Sequence, residues 1–292
     1  MLEFSLVTKF RSLGVSFILT AIALHPAHAS VQVLFSTTSI QPGETLRIET
    51  DGIASNRRLR IFIHKSAYAF YPIGTDVQRA LIGIRLDATP GKFPVHVDEQ
   101  AIQAPDWQTV YQGTIEISSK TFPTETVNFN LEKTALFQWE HKESARIHQL
   151  LQHLTDEQAW EGMFDFPVQG PIIGEFGVHR IRNGSIDAGF HKGVDIKAEK
   201  GTPILASSSG VVLLAAPLKA HGRTVLINHG QGVMTIYLHM NAIMVRPGQK
   251  VVKGQKIGIV GSSGLSTAPH VHWGLYVHGV PVDPKPWTET EF

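Results

Sequence analysis

From Ser30 to about Leu131, apolar and polar residues alternate: Leu46 and Ile48, then Leu59, Ile61 and Ile63, Val95 and Val97, Ile115 and Ile117, and Val127, Phe129 and Leu131. A period of two sends successive side chains to opposite faces of an extended chain, so each run predicts a half-buried strand. Pro42-Gly43, Asp51-Gly52 and Pro90-Gly91 interrupt the runs where turns are expected. Several short strands in about a hundred residues predict a β-sandwich-like domain over 30–132. The period changes at Ala145 to Leu154, where Ile147, Leu150, Leu151 and Leu154 recur at helical spacing and Thr155 is placed to cap a second short turn. A short helical connector over 133–165 is therefore expected. Strand runs and glycine turns return over 166–292, so the chain reads as mainly β. There, Gly248-Gln249-Lys250-Val251-Val252 is echoed by Gly254-Gln255-Lys256-Ile257-Gly258, which reads as a hairpin whose arms share a turn chemistry. Nothing recurs at a longer fixed period, which argues against a solenoid.

The N-terminus carries a different signal. Lys9 and Arg11 precede an apolar stretch from Leu13 to Leu24, shorter than the ~20 residues a helix needs to span a bilayer. Ala27-His28-Ala29 supplies small residues at the two positions a signal peptidase reads, so residues 1–29 are expected to be a signal peptide cleaved before Ser30. Of 26 basic and 25 acidic residues, that cut removes Lys9, Arg11 and Glu3, leaving 24 of each and a formally neutral chain. No basic excess remains to suggest a nucleic-acid partner, and no stable membrane span is expected after cleavage. With 42% hydrophobic and 17% charged residues, wholesale disorder is excluded. The 292 residues contain no cysteine, which rules out disulfides, thiolate nucleophiles and Cys-based zinc sites; any metal must be held by histidines and carboxylates. Export without cysteine fits a bacterial periplasm or envelope.

Among 15 histidines, two patterns invite a metal reading: His191-Lys192-Gly193-Val194-Asp195 and His270-Val271-His272. Either one alone is expected by chance in a chain this rich in histidine. Both, however, fall in one β-rich half among glycines and prolines. On a strand, His270 and His272 project to the same face. Gly193 followed by β-branched Val194 and Ile196 predicts a loop running into a strand, an arrangement that can bring His191 and Asp195 to one ion. Two imidazoles and a carboxylate suit Zn2+ and leave a fourth position for water. Same-face spacing also places Tyr237 with His239, where His239 reads either as a rim histidine capping a strand or as a non-ligand histidine near the metal. His64 and His96 read as surface or locally satisfied residues, and His141, His148 and His153 as solvated. His179, His221, His229 and His278 read as turn or surface residues. Gly261-Ser262-Ser263-Gly264 lacks the Lys-Ser/Thr of a phosphate-binding loop and reads as a wall or strand connection.

These residues, in this order, give the C-terminal half a close resemblance to the lysostaphin-type zinc metallopeptidases, which cleave peptides of bacterial cell walls. It rests on Phe176-Gly177, Asn183-Gly184, His191 through Ile196, Gly201-Thr202-Pro203, Tyr237-Leu238-His239, Gly261 to Gly264, Pro269 through Trp273 and Val282-Asp283-Pro284. Ala268 stands where a glycine is usual, and Met240-Asn241 replaces the commoner Leu-Ser. The resemblance implies an antiparallel β-sheet metallopeptidase domain with one zinc per domain. His191, Asp195 and His272 would be the ligands, and His239 and His270 the catalytic pair. His270 would be the general base and His239 the partner of the oxyanion or leaving amine, with exchanged roles left open. The N-terminal half resembles the β-domain that precedes such peptidases in Gram-negative envelope proteins, on Ala80 to Ile84, Pro90 to Phe93 and Trp160 to Phe164. Together they imply an exported metalloendopeptidase acting on amides of peptidoglycan stem or cross-link peptides, as a D,D-endopeptidase. The alternative is a non-catalytic envelope protein that binds or activates an amidase. Some such relatives lose zinc ligands, whereas all are present here. A regulatory envelope protein is kept as an unidentified partner, and the N-terminal β-domain is expected to pack across the cleft and hold the enzyme latent.

Overall fold

A computed structural model describes residues 18–19, 32–53 and 56–292. The expected signal peptide and its cleavage site lie outside the described residues, apart from Ile18–Leu19, which pairs with Gln32–Phe35. The alternating runs form two five-stranded sheets. One runs in the order Ile18–Leu19, Gln32–Phe35, Thr45–Asp51, Gln78–Gly83, Tyr71–Pro72; the other in the order Ser39–Ile40, Gln108–Ile117, Gly91–Ala101, Arg57–Ile63, Ser66–Ala69. Leu46, Ile48 and Ile82 from the first meet Leu59, Ile61, Val95, Val97 and Ile115 from the second in one buried core. This is the sandwich that the period of two predicts.

The last run departs from that reading. Thr124–Val127 leaves the sandwich and pairs in parallel with His179–Arg182, which is itself half of a hairpin with Ile186–Phe190. Leu131 starts a one-turn helix, Leu131–Thr134, and is 90% exposed. Asn130 caps that turn by accepting from the Lys133 backbone N–H at 2.9 Å. The main connector helix is Phe137–Leu150, beginning eight residues before the expected Ala145. Thr155 caps nothing; its hydroxyl accepts from the Asn228 amide at 3.1 Å.

The C-terminal half is built on an eight-stranded sheet in the order Ile172–Gly174, Val194–Lys197, His270–Val277, Val233–Met240, Arg223–Gly230, Gly210–Pro217, Lys250–Val251, with Val280–Val282 on the outer side of His270–Val277. One face buries Val194, Val225, Ile227, Tyr237, Val271 and Trp273. The other presents Leu214, Leu226, Met234, Ile236, Leu238 and Tyr276, and the connector helix covers it with Ile147 and Leu151. The expected hairpin does not form. Lys250–Val251 pairs with Gly210–Pro217, while Lys256–Ile259 joins a separate sheet with Pro203–Leu205 and Ala242–Ile243. The shared turn chemistry is real: Gln249 and Gln255 each accept from the backbone N–H three residues earlier, at 3.2 and 3.1 Å, beside Gly248 and Gly254 at φ +81° and +78°. The repeat encodes two turns, and strand pairing is decided by neighbours elsewhere in the chain.

His229, read from sequence as a turn or surface residue, is fully buried. Its Nδ1–H donates to the Ser209 carbonyl at 2.6 Å, and Nε2 lies 2.7 Å from the Thr235 hydroxyl. Burial pushes the imidazole down to about 4, although the Ser209 bond opposes this. An unfolded chain therefore binds a proton at this residue below pH ~6.5 while the folded one does not. Stability is complete above that pH and is lost as pH falls toward 4, by at most ~3 kcal/mol from this group. Thermal unfolding of His229→Gln is expected to show a shallower acid slope between pH 6.5 and 4 than the parent. An unchanged slope would assign the loss elsewhere.

Candidate metal centre and the cleft above it

Three side chains from two neighbouring strands and the loop before one of them converge at the end of the large sheet. Asp195 lies directly opposite His272 in the antiparallel ladder, and His191 sits in the loop that enters the Val194 strand. That loop lies against the His270–Val277 strand because residue 193 is glycine: a Cβ there would overlap the Trp273 carbonyl and lie 2.8 Å from His272 Nε2. His191 Nε2, Asp195 Oδ1 and His272 Nδ1 form a triangle with edges of 3.0, 2.9 and 2.9 Å. All three residues are buried, and they form a group able to hold a metal ion.

The donor set fits zinc. Bonds of ~2.0–2.1 Å in tetrahedral geometry put donor atoms ~3.3 Å apart, so the triangle needs to open by only a few tenths of an ångström. His191 Nδ1–H donates to the Glu175 carbonyl at 2.7 Å, which leaves Nε2 as the lone pair facing its partners. Burial pushes His272 down to about 4 against the opposing pull of Asp195, so its ring is neutral at pH 7. Burial alone would raise the Asp195 carboxyl, but hydrogen bonds and charge from His191 and His272 outweigh it and hold the group well below the usual range. Its second oxygen accepts from Arg180 Nη2 at 2.7 Å, and Arg180 Nε donates to Glu125 at 2.6 Å. Glu125 lies on the Thr124–Val127 strand, so a segment ahead of the connector supports the carboxylate.

Two further histidines stand beside the triangle. His270 shares the face of His272, as the pleat requires, and its Nε2 lies 3.7 Å from Asp195 Oδ1. Its Nδ1–H donates to the Ala268 carbonyl at 2.8 Å, with the Ser266 hydroxyl at 3.2 Å. His239 arrives by a different route. Leu238 is opposite His272, so a regular strand would send His239 with Tyr237 to the other face. Instead Leu238 and His239 stand opposite the single residue Thr224 at a bulge, and His239 takes φ +63°. Its ring then sits 4.9 Å from that of His270, while Tyr237 lies in the opposite core with its hydroxyl on the Ser207 N–H. The expected Tyr237–His239 pairing on one face is thus corrected. His239 Nδ1–H donates to the Ser263 carbonyl at 2.9 Å, which makes Gly261–Gly264 the wall that orients it. Burial, then the neighbouring His270 and His272, depress its pKa well below 6.5.

The centre opens into a cavity of about 240 Å³, and the connector forms its other wall. Phe129, Glu140, Ser144, Ile147 and His148 face His191, His239 and His272 across it. No described residue of the sandwich before Val127 lines this cavity, so the segment lying across the cleft is the connector and not the β-domain. Three polar ties hold it. Glu143 accepts from the backbone N–H groups of Lys219, Ala220 and His221 at 2.6, 3.0 and 3.1 Å and from His221 Nδ1 at 2.9 Å. Glu140 forks onto Arg182, and Lys133 donates to the Ser262 and Gly264 carbonyls. His221, read from sequence as a turn or surface residue, is therefore part of a clasp. The sequence did contain a signal for it: Glu143 occupies the stripe of Ile147 and Leu151, a carboxylate on the apolar face of an amphipathic helix. His141, His148 and His153 are exposed, as expected.

Residues 189–284 match Peptidase family M23. Over 93 residues the chain is 44% identical to the peptidoglycan DD-endopeptidase ShyA of Vibrio cholerae, a stretch making up 32% of this chain and 22% of that protein. Over 95 residues it is 42% identical to the DD-carboxypeptidase/endopeptidase Mpg of Neisseria meningitidis, again 32% and 22% of the two chains. The matched stretch thus spans about a fifth of the length of these curated relatives. A crystal structure of an M23-type protein from Pseudomonas aeruginosa superposes with a TM-score of 0.62 at 25% identity, covering 86% of this chain and 95% of that one.

Proposed function

Because residues 189–284 form a domain of peptidase family M23, we propose that this protein is an exported zinc metalloendopeptidase that hydrolyses amide bonds in peptidoglycan peptides, cutting D,D cross-links in the periplasm. The observation that carries the reading is the triangle of His191, Asp195 and His272 with the Nε2 edges of two further histidines beside it. Zinc held there would supply a Lewis acid for the scissile carbonyl and a water of lowered pKa. His270 is assigned the proton from that water, because its Nδ1–H is already committed to Ala268 and its Nε2 lone pair stands next to the ligands. His239, kept neutral by burial, is poor at holding a proton once it has one. His239 Nε2 would therefore take up the second proton of the attacking water and, holding it weakly, pass it to the leaving amine. The backbone carbonyls of Ser263 and Ala268 fix both rings in the same tautomer, so exchanged roles would use the same atoms.

The triangle and the tautomer-fixing contacts of His191, His239 and His270 argue against the alternative of a non-catalytic amidase-binding protein, for which nothing in the centre need be kept intact. The distinguishing experiment incubates the zinc-loaded chain with purified sacculi and identifies the products by mass spectrometry. Monomeric muropeptides released from cross-linked ones are expected; only glycan or amidase products would reject the reading. His270→Ala is expected to bind zinc with parental stoichiometry while losing about 10²–10⁴-fold in turnover, the usual weight of a positioned acid or base. Loss of zinc in that variant would make His270 a ligand instead.

A further inference from the structure

The cavity over the metal centre is cationic. Arg180, Arg182 and Lys192 line it, and Glu140 is the one carboxylate among its described lining residues. Arg180 is already engaged with Asp195 and Glu125. Among the described residues, the Arg182 guanidinium is engaged only from the connector: both Nη atoms fork onto the two Glu140 oxygens, one at 2.7 Å, and the guanidinium lies 5.0 Å over the Phe137 ring. Arg182 lies two positions after Arg180 on the His179–Arg182 strand, which spaces the two residues ~7 Å apart, about two residues of an extended peptide. Burial works to raise the Glu140 carboxyl, but Arg182, His221 and Lys192 together bring it below its ordinary value, as a site electrostatically built for an anion would. A planar fork that binds one carboxylate in bidentate fashion accepts another of the same geometry.

We propose that Arg182, with Lys192 beside it, is the subsite for a carboxylate of the peptide substrate lying about two residues from the scissile amide, and that Glu140 occupies this subsite as an internal stand-in while the connector lies across the cleft. The proposal rests on the hydrolase reading and names the class of peptide it takes: acidic, with an unblocked carboxylate near the bond. Displacing Glu140 then does two things at once. It frees the guanidinium and removes one of the ties that hold the connector down, so an acidic peptide competes for its own access route.

The test uses the zinc-loaded full chain and two cross-linked peptides that are identical except that one has this carboxylate and the other its amide. The parent is expected to prefer the acid by tenfold or more in kcat/KM. Glu140→Gln should raise turnover of the acid severalfold and keep the preference. Arg182→Gln should bring the two peptides within about twofold of each other, and Arg182→Lys should restore part of the discrimination. Because Glu140→Gln and Arg182→Gln both untie the helix, a purely structural ion pair would move both peptides alike in both variants. Retention of the parental preference in a folded Arg182→Gln protein overturns the proposal, as does hydrolysis of both peptides by the parent at equal rates. If no variant hydrolyses either peptide, the hydrolase reading fails on its own. Calorimetric binding of the acid to Glu140→Gln, lost in the Arg182→Gln double variant, still decides the subsite.

Discussion

His191→Ala is expected to leave the protein folded, without bound zinc, and at least ~10³-fold slower on cross-linked muropeptides, since metal polarisation of a carbonyl supplies several kcal/mol at ~1.4 kcal/mol per decade. The fold should tolerate the change. His191 lies in a loop, Asp195 keeps its bond to Arg180, and the paired strands under Asp195 and His272 are untouched. What is lost is one corner of a triangle whose other two corners cannot close around an ion alone. Zinc content by elemental analysis, melting temperature and muropeptide turnover measured together separate this outcome from unfolding. A variant that keeps stoichiometric zinc and full turnover would remove the metal centre from the mechanism.

Glu143→Ala is expected to act in the opposite direction, raising turnover of bulky cross-linked substrate by roughly tenfold. The carboxylate accepts three backbone N–H groups and an imidazole N–H, and hydrogen bonds to a charged group contribute ~1.5–3 kcal/mol each. Part of that energy holds the connector over the cavity and part orders the loop at Lys219–His221, so only a fraction appears as opening. Faster hydrogen exchange across Phe137–Leu150, together with the rate increase, is the expected signature. Faster exchange with no gain in rate would mean that the helix is not what limits access. Glu143 lies outside both the proposed ligand set and the proposed catalytic pair, so a higher rate would not come from altered metal chemistry.

Much of this architecture was legible in the sequence, for reasons that can be stated residue by residue. Leu46, Ile48, Val95 and Val97 alternate because one face of each strand meets a core, and that local rule survives folding. His270 and His272 share a face by the same rule, and His191, Asp195 and His272 come together as the family resemblance implied. The rule failed where a position escapes regular geometry. At His239 a bulge and a left-handed backbone reverse the side that alternation assigns. Val127 alternates like a sandwich strand, yet pairs with a strand some fifty residues later. The two Gly-Gln-Lys turns share their local bonds, although their arms join different sheets. Glu125, Glu140, Glu143, Arg180 and Arg182 were missed because each acts through a partner distant in sequence, and single charges carry no periodic signal. Glu143 is the exception, since a carboxylate within a stripe of leucine and isoleucine demands a buried partner.

The parallel pairing of Thr124–Val127 with His179–Arg182 bears on how the catalytic unit is to be excised. A fragment trimmed to residues 189–284 would lose Arg180 itself, and one beginning at Phe166 would leave Arg180 without Glu125 and expose a bare strand margin prone to sticking to other chains. The smallest self-sufficient piece therefore starts upstream of Pro123, and a weakly active shorter one would report on a missing buttress rather than on the chemistry.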